Sequence, residues 1–323
     1  MRAVIANGAG GPEVLAIGDV PKPIVGPGDL GIDVVAAGVN RADLLQRQGH
    51  YPPPPGISEV IGLEVSGHIA EVGEDVSGWS VGDPCVALLS GGGYAQFVAV
   101  PAGQVVRPPR GVDLVTSAGL LEVAATVQSN LDAVALRPGE FFLIHGGTGG
   151  IGSFAIQYAK SLGALVIATA GSAEKLEVCR ALGADAALDY HEDWAAGVRE
   201  ATGSHGADVI LDGIGAKYLE PNVDVLAMEG RLVVIGLQGG RRGTLDLNKL
   251  LVKRALVTAT SLRGRPVAQK AEIAAAVAER VWPLITDGRI QPARETRFSL
   301  DEVVAAHTLL ESGANVGKIV LVA

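Results

Sequence analysis

The fold of this chain is decided by residues 141–152, which read FFLIHGGTGGIG. An apolar run leads directly into a glycine-rich loop, and the residues that follow, 151–162, carry apolar side chains on one helical face. The pattern GxGxxG is a weak signal alone in a chain with 44 glycines, but a strand before it and a helix after it are the context it requires. The first glycine makes a tight turn, the second admits a pyrophosphate, and the third lets helix and strand pack closely. The stretch therefore predicts a dinucleotide-binding loop with contacts from Gly147, Gly149, Gly150, Ile151 and Gly152.

A regular alternation of strands and helices surrounds this loop. The strand-like runs are 141–145, 165–170, 186–188, 207–211, 232–235 and 255–260, and helical stretches lie between them at 151–162, 173–182, 193–202 and 216–228. Longer helical patterns cover 116–135 before the alternation and 267–287 after it. Strands joined through helices pair in parallel, so the pattern predicts a doubly wound, Rossmann-type α/β sheet.

The first hundred residues have a different character. Short β patterns at 30–37, 65–72 and 96–100 are separated by turns rich in glycine and proline, and the one clear helical pattern is 40–48. These features indicate a small, partly open β domain. The tail supplies a short helix and a last strand at 318–322 that we expect to return to this domain. The predicted division is therefore 1–120 with 290–323 for the β domain, and 121–289 for the dinucleotide-binding domain.

The end of the second strand of the alternation selects between the two nicotinamide cofactors. An enzyme specific for NAD usually places an acidic residue about 20 residues beyond the glycines, to hold the ribose hydroxyls. Here the strand runs into Gly171 and Ser172, and no acid occurs before the following helix. Ser172 can donate a hydrogen bond to a 2′-phosphate and Lys175 can form an ion pair with it. The sequence favours NADPH, and the alternative for Lys175 is a solvated lysine on a helix face.

Composition excludes several other classes of protein. The chain has 323 residues and a formal net charge of -9, without a basic run that would suit a nucleic acid. Its two cysteines, Cys85 and Cys179, are far apart and cannot form a disulfide framework or a cysteine-rich zinc lobe. No apolar run could span a bilayer, and the opening residues do not resemble a leader. A soluble, cytoplasmic enzyme is expected.

Motifs spread over nearly the whole chain support a family resemblance. The chain resembles the zeta-crystallin-like quinone oxidoreductases, a zinc-free branch of the medium-chain dehydrogenase/reductase superfamily. Besides the glycine-rich loop, the resemblance is carried by residues 10–15 (GGPEVL), 37–43 (AGVNRAD), 46–56 (QRQGHYPPPPG), 62–67 (GLEVSG) and 315–321 (NVGKIVL).

The resemblance implies a GroES-like catalytic domain built from both chain ends and an NADP-binding Rossmann domain inserted between them. It also implies a homodimer formed through an edge strand of the Rossmann sheet, for which 255–260 is the candidate. By position, Lys175 and Tyr190 would hold the 2′-phosphate, while a sheet-edge packing role is the alternative for Tyr190. The remaining implied contacts are Thr126, Gly236 and Leu237 near the nicotinamide, and Asn315 and Lys318 on the diphosphate side.

The resemblance also bears on metal. Zinc alcohol dehydrogenases of the same superfamily carry a cysteine ligand where this chain has Asn40, a histidine ligand where it has Leu63, and a third ligand near Glu122. Leucine cannot bind a metal and a neutral amide is a poor zinc ligand. The six histidines are scattered, and His68 has no cysteine or acidic partner at ligand spacing. We expect no zinc site.

Chemistry without a metal favours particular substrates. Hydride addition to a quinone, or to the β-carbon of an enone, spreads the negative charge over a conjugated system, so hydrogen bonds can suffice. Asn40 and Tyr51 are the candidate catalytic residues, with a helix N-cap and a packing aromatic as the alternatives. Glu64 is expected to orient Asn40 or the backbone. The predicted function is NADPH-dependent quinone reduction. The alternatives are an alkenal or enone reductase, and a catalytically slow NADPH-binding protein with a structural or sensing role.

Overall fold

The computed structural model of the protein describes all 323 residues. The strands are β1 Arg2–Ala6, β2 Leu15–Asp19, β3 Asp29–Val39, β4 Glu64–Val72, β5 Pro84–Leu88, β6 Phe97–Pro101, β7 Val105–Val106, β8 Phe141–His145, β9 Leu165–Ala170, β10 Ala186–Asp189, β11 Ala207–Asp212, β12 Leu226–Val234, β13 Leu256–Ala259, β14 Glu295–Ser299 and β15 Lys318–Val322. The helices are α1 Arg41–Arg47, α2 Leu114–Ser117, α3 Leu121–Ala133, α4 Gly150–Ser161, α5 Ala173–Ala181, α6 Trp194–Ala201, α7 Ala216–Val225, α8 Leu247–Lys253, α9 Val267–Arg280, α10 Trp282–Thr286 and α11 Val303–Ser312. None of these helices combines the length and the apolar character needed to cross a bilayer.

The chain forms two compact units. The first consists of Met1–Ala125, Leu262–Gly288 and Pro292–Ala323, and the second of Thr126–Ser261 with Arg289–Gln291. The sequence predicted residues 121–289 for the second domain, whereas 262–288 belong to the compact first unit. The physical reason lies in α9 and α10, where Lys270 bonds Ser90 and the Trp282 indole donates to the carbonyl of Arg107 at 2.8 Å. The periodicity of a helix does not reveal which sheet the helix packs against.

The second unit is built on the predicted doubly wound sheet. Its six strands are all parallel, in the order β10-β9-β8-β11-β12-β13. The first strand in sequence, β8, lies inside the sheet, so Phe142, Leu143 and Ile144 are almost completely buried. Burial on both faces explains why this strand is a continuous apolar run rather than an alternating one. The Rossmann prediction is confirmed.

The first unit contains the predicted β domain. Seven strands form a mainly antiparallel sheet in which β14, β15, β3, β4, β5 and β7 follow one another and β6 also pairs with β3. The long strand β3 is the centre, because it pairs with β4, β6 and β15 along its length. The last strand, β15, runs antiparallel to β3, with Ile319 opposite Val39. The chain end therefore returns to this unit, as the sequence predicted.

Two helices that the sequence predicted as continuous are interrupted. The pattern at 116–135 is divided into α2 and α3, and Gly119 lies between them, where a β-carbon would come within 2.7 Å of the Lys318 side chain. The pattern at 267–287 is divided into α9 and α10, because Pro283 at the start of α10 cannot donate to the preceding turn. The hairpin β1–β2, strand β14 and helix α8 were not predicted.

A buried histidine lies in the core of the second unit, directly before the glycine-rich loop. His145, the last residue of β8, forms edge contacts with the rings of Trp194 and Tyr218 at 4.7 and 4.8 Å. Its Nε2 lies 2.8 Å from Asn222 Oδ1, which can only accept, so Nε2 carries the proton. Its Nδ1 then accepts from the hydroxyl of Thr169 at 3.2 Å. Burial lowers the pKa of His145 to about 4, against the hydrogen bond to Asn222, which raises it.

This histidine makes stability depend on pH in a defined window. Its pKa is about 4 in the folded chain and 6.5 as an unperturbed group, so the unfolded chain binds more protons between these values. The free energy of unfolding should then fall by up to roughly 3 kcal/mol as the pH drops from 6.5 to 4. In urea unfolding followed by tryptophan fluorescence, His145→Gln should remove the part of this dependence that His145 contributes, while the part due to His307, whose pKa burial lowers to about 3, remains. The matched variant His50→Gln, at an exposed position, should keep it. Equal pH dependence in wild type and His145→Gln would contradict the assignment.

Candidate functional site

The glycines of the loop after β8 are required for different steric reasons. Gly146 has φ of 74°, in the left-handed region that favours glycine. A β-carbon on Gly147 would lie 2.7 Å from Cys179 Sγ, and one on Gly152 would lie 2.1 Å from the carbonyl oxygen of Gly146. Beside Gly149, by contrast, the nearest such atom is 3.8 Å away. Of Gly146, Gly147, Gly149 and Gly152, only Gly149 combines room for a β-carbon with an ordinary backbone φ, -75°, which fits a position kept small for a ligand.

The start of α4 offers unpaired backbone donors at this loop. Gly149 is the N-cap, no side chain caps the helix, and Gly150, Ile151 and Gly152 form its first turn. The first N–H groups of a helix have no acceptor within the helix and carry its positive dipole end. Thr169 fixes the loop, because its carbonyl accepts from Gly147 N at 2.9 Å and its hydroxyl from Gly146 N at 3.3 Å. The arrangement can bind an anion such as a diphosphate.

A second candidate anion-binding site lies at the ends of β9 and β10. The Ser172 hydroxyl caps α5 by accepting from Lys175 N at 3.3 Å. The Tyr190 ring covers Gly171 so closely that a β-carbon there would lie 2.2 Å from its hydroxyl oxygen. The nearby acid, Asp189, accepts from the backbone N–H of His191 at 2.9 Å. Ser172 and Lys175 thus share one turn, and Tyr190 packs against the glycine that begins it.

The residues implied for the nicotinamide are distributed over the same unit. Gly236 follows β12 and packs against the loop after β11, since a β-carbon on it would lie 2.7 Å from Gly213 O. Leu237 is 53% exposed, and Thr126 is buried in α3. The loops after parallel strands lie at one edge of a sheet, which is where ligands of doubly wound sheets bind. Their roles toward a nicotinamide stay predictions.

Strand register assembles the candidate site of the first unit. Asn40 directly follows β3, Glu64 begins β4 and Lys318 begins β15. Because Val39 pairs with Ile319 and Ala37 with Val65, the three side chains meet at one end of three adjacent strands. Gly38 makes room for them, since a β-carbon there would lie 2.3 Å from Glu64 Oε1.

The three side chains form a buried network of hydrogen bonds. Lys318 Nζ lies 2.6 Å from Asn40 Oδ1 and 2.7 Å from Glu64 Oε1. Asn40 Nδ2 donates to the same Glu64 oxygen at 3.0 Å, and the backbone N–H of Glu122 donates to Glu64 Oε2 at 2.9 Å. Glu64 therefore orients both Asn40 and backbone, as predicted. Lys318, expected on the diphosphate side, has its ammonium in this network, and its contact with a cofactor stays a prediction.

Asn40 also occupies the N-cap position of α1, but its side chain does not cap the helix. Instead Asp43 accepts from the Asn40 backbone N–H at 2.7 Å and from the Tyr94 hydroxyl at 2.9 Å. Asp43 is completely buried, and burial raises its pKa to about 6, against the lowering effect of both hydrogen bonds. The N-cap interpretation of Asn40 is thus right for its backbone, whereas its amide forms hydrogen bonds with Glu64 and Lys318 and its catalytic role stays a prediction.

Tyr51 is held by a residue that the sequence did not single out. The Arg263 guanidinium lies 5.2 Å from the centroid of the Tyr51 ring, and Arg263 Nη1 donates to the Tyr51 carbonyl at 3.1 Å. The same side chain also donates to Ser90 O at 2.6 Å and to Gln46 Oε1 at 2.8 Å. A cation over an aromatic face and a backbone bond together fix the ring. This role of Arg263 becomes evident only from its proximity to Tyr51 in the structure, because the two residues are far apart in the sequence.

Asn315 lies close to Lys318 in the chain but not in its hydrogen-bond network. Its Nδ2 donates to Gly317 O at 2.8 Å, while its Oδ1 is buried without a hydrogen-bond partner. An unsatisfied buried acceptor is uncommon in native structures. The predicted contact of Asn315 with a diphosphate stays a prediction.

Comparison with known proteins gives full-length similarity. Residues 150–279 match the family described as zinc-binding dehydrogenase, and residues 26–110 match the alcohol dehydrogenase GroES-like domain. A quinone oxidoreductase of Pseudomonas aeruginosa is 34% identical over 316 residues, covering 97% of this chain and 96% of that protein. A 2-haloacrylate reductase of a Burkholderia species is 31% identical, over 99% of this chain and 98% of that protein. The crystal structure of Escherichia coli quinone oxidoreductase complexed with NADPH matches with a TM-score of 0.92 at 28% identity, over 100% of both chains.

The name of the first of these families raises the question of zinc, and the residues present do not fit it. Asn40 is bonded to a carboxylate and an ammonium, and Leu63 is buried and apolar. An ammonium 2.6 Å from Asn40 Oδ1 would repel a divalent cation at that place. No group of three or more His, Cys, Asp or Glu side chains is arranged to bind a metal anywhere in the chain.

Proposed function

Because the chain belongs to the quinone oxidoreductase family of the medium-chain dehydrogenase/reductase superfamily, we propose that it catalyses NADPH-dependent reduction of quinones. The main supporting observation is that Asn40, which stands where metal-dependent relatives are expected to hold a cysteine ligand, is held in a buried network with Glu64 and Lys318. An oxidoreductase with this network needs a substrate whose reduction does not depend on a Lewis acid. Quinones meet that condition.

Two candidate anion-binding sites in the second unit support binding of NADPH. The diphosphate would bind the N–H groups at the start of α4, and the 2′-phosphate would bind Ser172, Lys175 and Tyr190. An oxyanion beside the positive end of a helix and beside an ammonium is stabilised by both. The absence of a carboxylate at the end of β9 removes the repulsion that a 2′-phosphate would otherwise meet.

The proposed chemistry is metal-independent. When bound, NADPH supplies a hydride to the conjugated carbonyl compound and becomes NADP⁺, and one proton from solvent completes the reduced product. The chain's own residues orient the substrate and stabilise negative charge on its oxygen. Tyr51 is the candidate donor from the side of the proline-rich loop, since Arg263 holds its ring and backbone.

A homodimer through the second unit is part of the proposal. Strand β13 ends the sheet order, so one side of its backbone has no partner strand within the chain. Around it, Leu247, Leu251 and Leu256 are 70%, 75% and 50% exposed. Exposed edge strands with apolar neighbours favour pairing with another chain. A second copy, pairing edge to edge, would cover both features. The cytoplasmic location and the absence of a nucleic-acid partner stay predictions.

A second candidate function is the reduction of alkenals or enones. The similarity to a 2-haloacrylate reductase over 99% of this chain favours keeping it. An enone needs more charge stabilisation than a quinone, because the charge is spread over fewer atoms. The third candidate function is that of a catalytically slow NADPH-binding protein. Such a protein would have the same cofactor site as the two enzymes and would differ from them only in its turnover.

A substrate panel separates these three functions. With NADPH in excess, we expect turnover of a one-ring quinone and a two-ring quinone to exceed that of a simple alkenal in kcat/KM. Consumption of NADPH and formation of hydroquinone should match one to one. A preference for the alkenal would favour the second function. Tight NADPH binding with no turnover of any panel member would favour the third.

The preference for NADPH should depend on Lys175. A charge-assisted bond to phosphate contributes about 1.5–3 kcal/mol, so Lys175→Ala should weaken NADPH binding roughly ten- to a hundredfold. Binding of NADH, which lacks the phosphate, should barely change. The matched control is Arg180→Ala, which removes an exposed cation at the other end of α5 and should leave both affinities unaltered. Fluorescence titration gives the dissociation constants, and equal losses for NADPH and NADH in Lys175→Ala would refute this role.

A further inference from the structure

Lys318 is the member of the buried network that has one more hydrogen-bond donor than it has acceptors within the network. An ammonium has three N–H donors, and the structure gives Lys318 two acceptors, Asn40 Oδ1 at 2.6 Å and Glu64 Oε1 at 2.7 Å. Its side chain is 6% exposed. Two acceptors hold the ammonium in a fixed place, and one N–H is left for a further partner.

The other two members of the network have their capacity committed. Asn40 Nδ2 donates to Glu64 Oε1 at 3.0 Å and faces Gly38 O at 3.5 Å, while Asn40 Oδ1 accepts from Lys318. Glu64 can only accept. The amide of Asn40, the sequence-based candidate for bonding a substrate carbonyl, is thus turned toward its neighbours. The donor that remains carries a positive charge, and it belongs to Lys318.

We propose that Lys318 is a catalytic residue that supplies the fixed positive charge to the substrate oxygen, in the place where metal-dependent relatives use a cation. The inference rests on the proposed function. As the hydride forms its new C–H or O–H bond, an electron pair of the conjugated system moves onto the substrate oxygen, and a proton from water then neutralises it. Lys318 keeps its own proton throughout and bonds the oxygen through its third N–H. Asn40 and Glu64 act as positioning residues for that ammonium.

A fixed cation predicts a particular order of substrates. Only an interaction that strengthens in the transition state accelerates the reaction. The negative charge on an enone oxygen is more localised than that on a quinone, so the enone should depend more on Lys318. A cation that merely binds anions in the ground state would change KM and would not produce this difference in kcat.

The structural alternative is that Lys318 only neutralises Glu64. Removing one partner of a buried ion pair leaves an uncompensated charge and is strongly destabilising, so Lys318→Met alone is a poor test. The double variant Glu64→Gln with Lys318→Met removes both charges together. The amide introduced by Glu64→Gln can donate to Asn40 Oδ1 in place of the ammonium, while its oxygen accepts from the Glu122 N–H. Methionine fills the volume of the lysine stem.

The matched control removes an ion pair elsewhere. Arg231 and Glu140 form a mostly buried pair of 2.8 Å in the second unit, and Glu140→Gln with Arg231→Met deletes it in the same way. We expect this control to lower stability and to leave kcat unchanged. In the Glu64/Lys318 double variant, NADPH affinity by fluorescence separates this role from the predicted contact of Lys318 with the diphosphate: an affinity within about twofold supports the role toward the substrate, and a loss of affinity with unchanged kcat would overturn it. The kcat of this double variant should fall roughly ten- to a hundredfold with an enone and less with a quinone, the size expected for one charge-assisted bond.

The ionisation of a bound phenol tests the positive charge of Lys318 in the wild-type protein. This measurement requires neither turnover nor a folded variant. The probe is 4-nitrophenol, whose anion resembles a reduced quinone and absorbs in the visible. Titrated against the cofactor-free protein, the bound phenol should have a ratio of anion to neutral form at least about tenfold higher than the free phenol at the same pH, since one pKa unit changes this ratio tenfold. Unchanged or suppressed ionisation would overturn the inference, as would a double variant with wild-type kcat on both substrates. Wild-type protein that ionises 4-nitrophenol but turns over no quinone or enone would instead remove the proposed function.

Discussion

The antiparallel pairing of the last strand with the longest one is the constraint on which the candidate site depends. With Ile319 opposite Val39, the first residue of β15 lies beside the residue that follows β3. A slip of one residue would turn Lys318 to the other face of the sheet. The ion pair with Glu64, the orientation of the Asn40 amide and the return of the chain end to the first unit all follow from this register. A carboxylate buried this deeply needs a cation, so the tail is part of the site as well as of the fold.

Glycine makes these close approaches possible in both units. Gly38 admits the Glu64 carboxylate, and Gly119 admits the stem of Lys318 while it separates α2 from α3. In the second unit Gly152 lets α4 approach the turn at Gly146, and Gly171 lets the Tyr190 ring cover the turn. Each is a place where a β-carbon would collide with an atom that the site needs. Part of the high glycine content of the chain is thus explained by close contacts that leave no space for a β-carbon.

The sequence predicted the parts of the structure that depend on local pattern. The six parallel strands and the loop at 146–152 follow from apolar runs and glycine spacing, and the predicted strands and helices there agree with β8 to β13 and α4 to α7. What it could not predict depends on tertiary contact. The packing of α9 and α10 with the first unit rests on Lys270 and Trp282, and the support of Tyr51 rests on Arg263, far away in sequence. Lys318 was predicted to lie on the diphosphate side of the cofactor, which stays a prediction, and its partners Asn40 and Glu64 became evident only from strand register.

We propose that hydride transfer in this protein proceeds without zinc, because the residue at the cysteine-ligand position is an amide, Asn40, held by the ammonium of Lys318 and the carboxylate of Glu64. The most direct test of this proposal measures metal content and rate on the same preparation. After exhaustive chelation and dialysis, elemental analysis should find far less than one zinc per chain, and kcat with NADPH and a quinone should equal that of untreated protein. Addition of zinc should not increase the rate. A rate that is lost on chelation and restored by stoichiometric zinc would show that zinc takes part in the reaction.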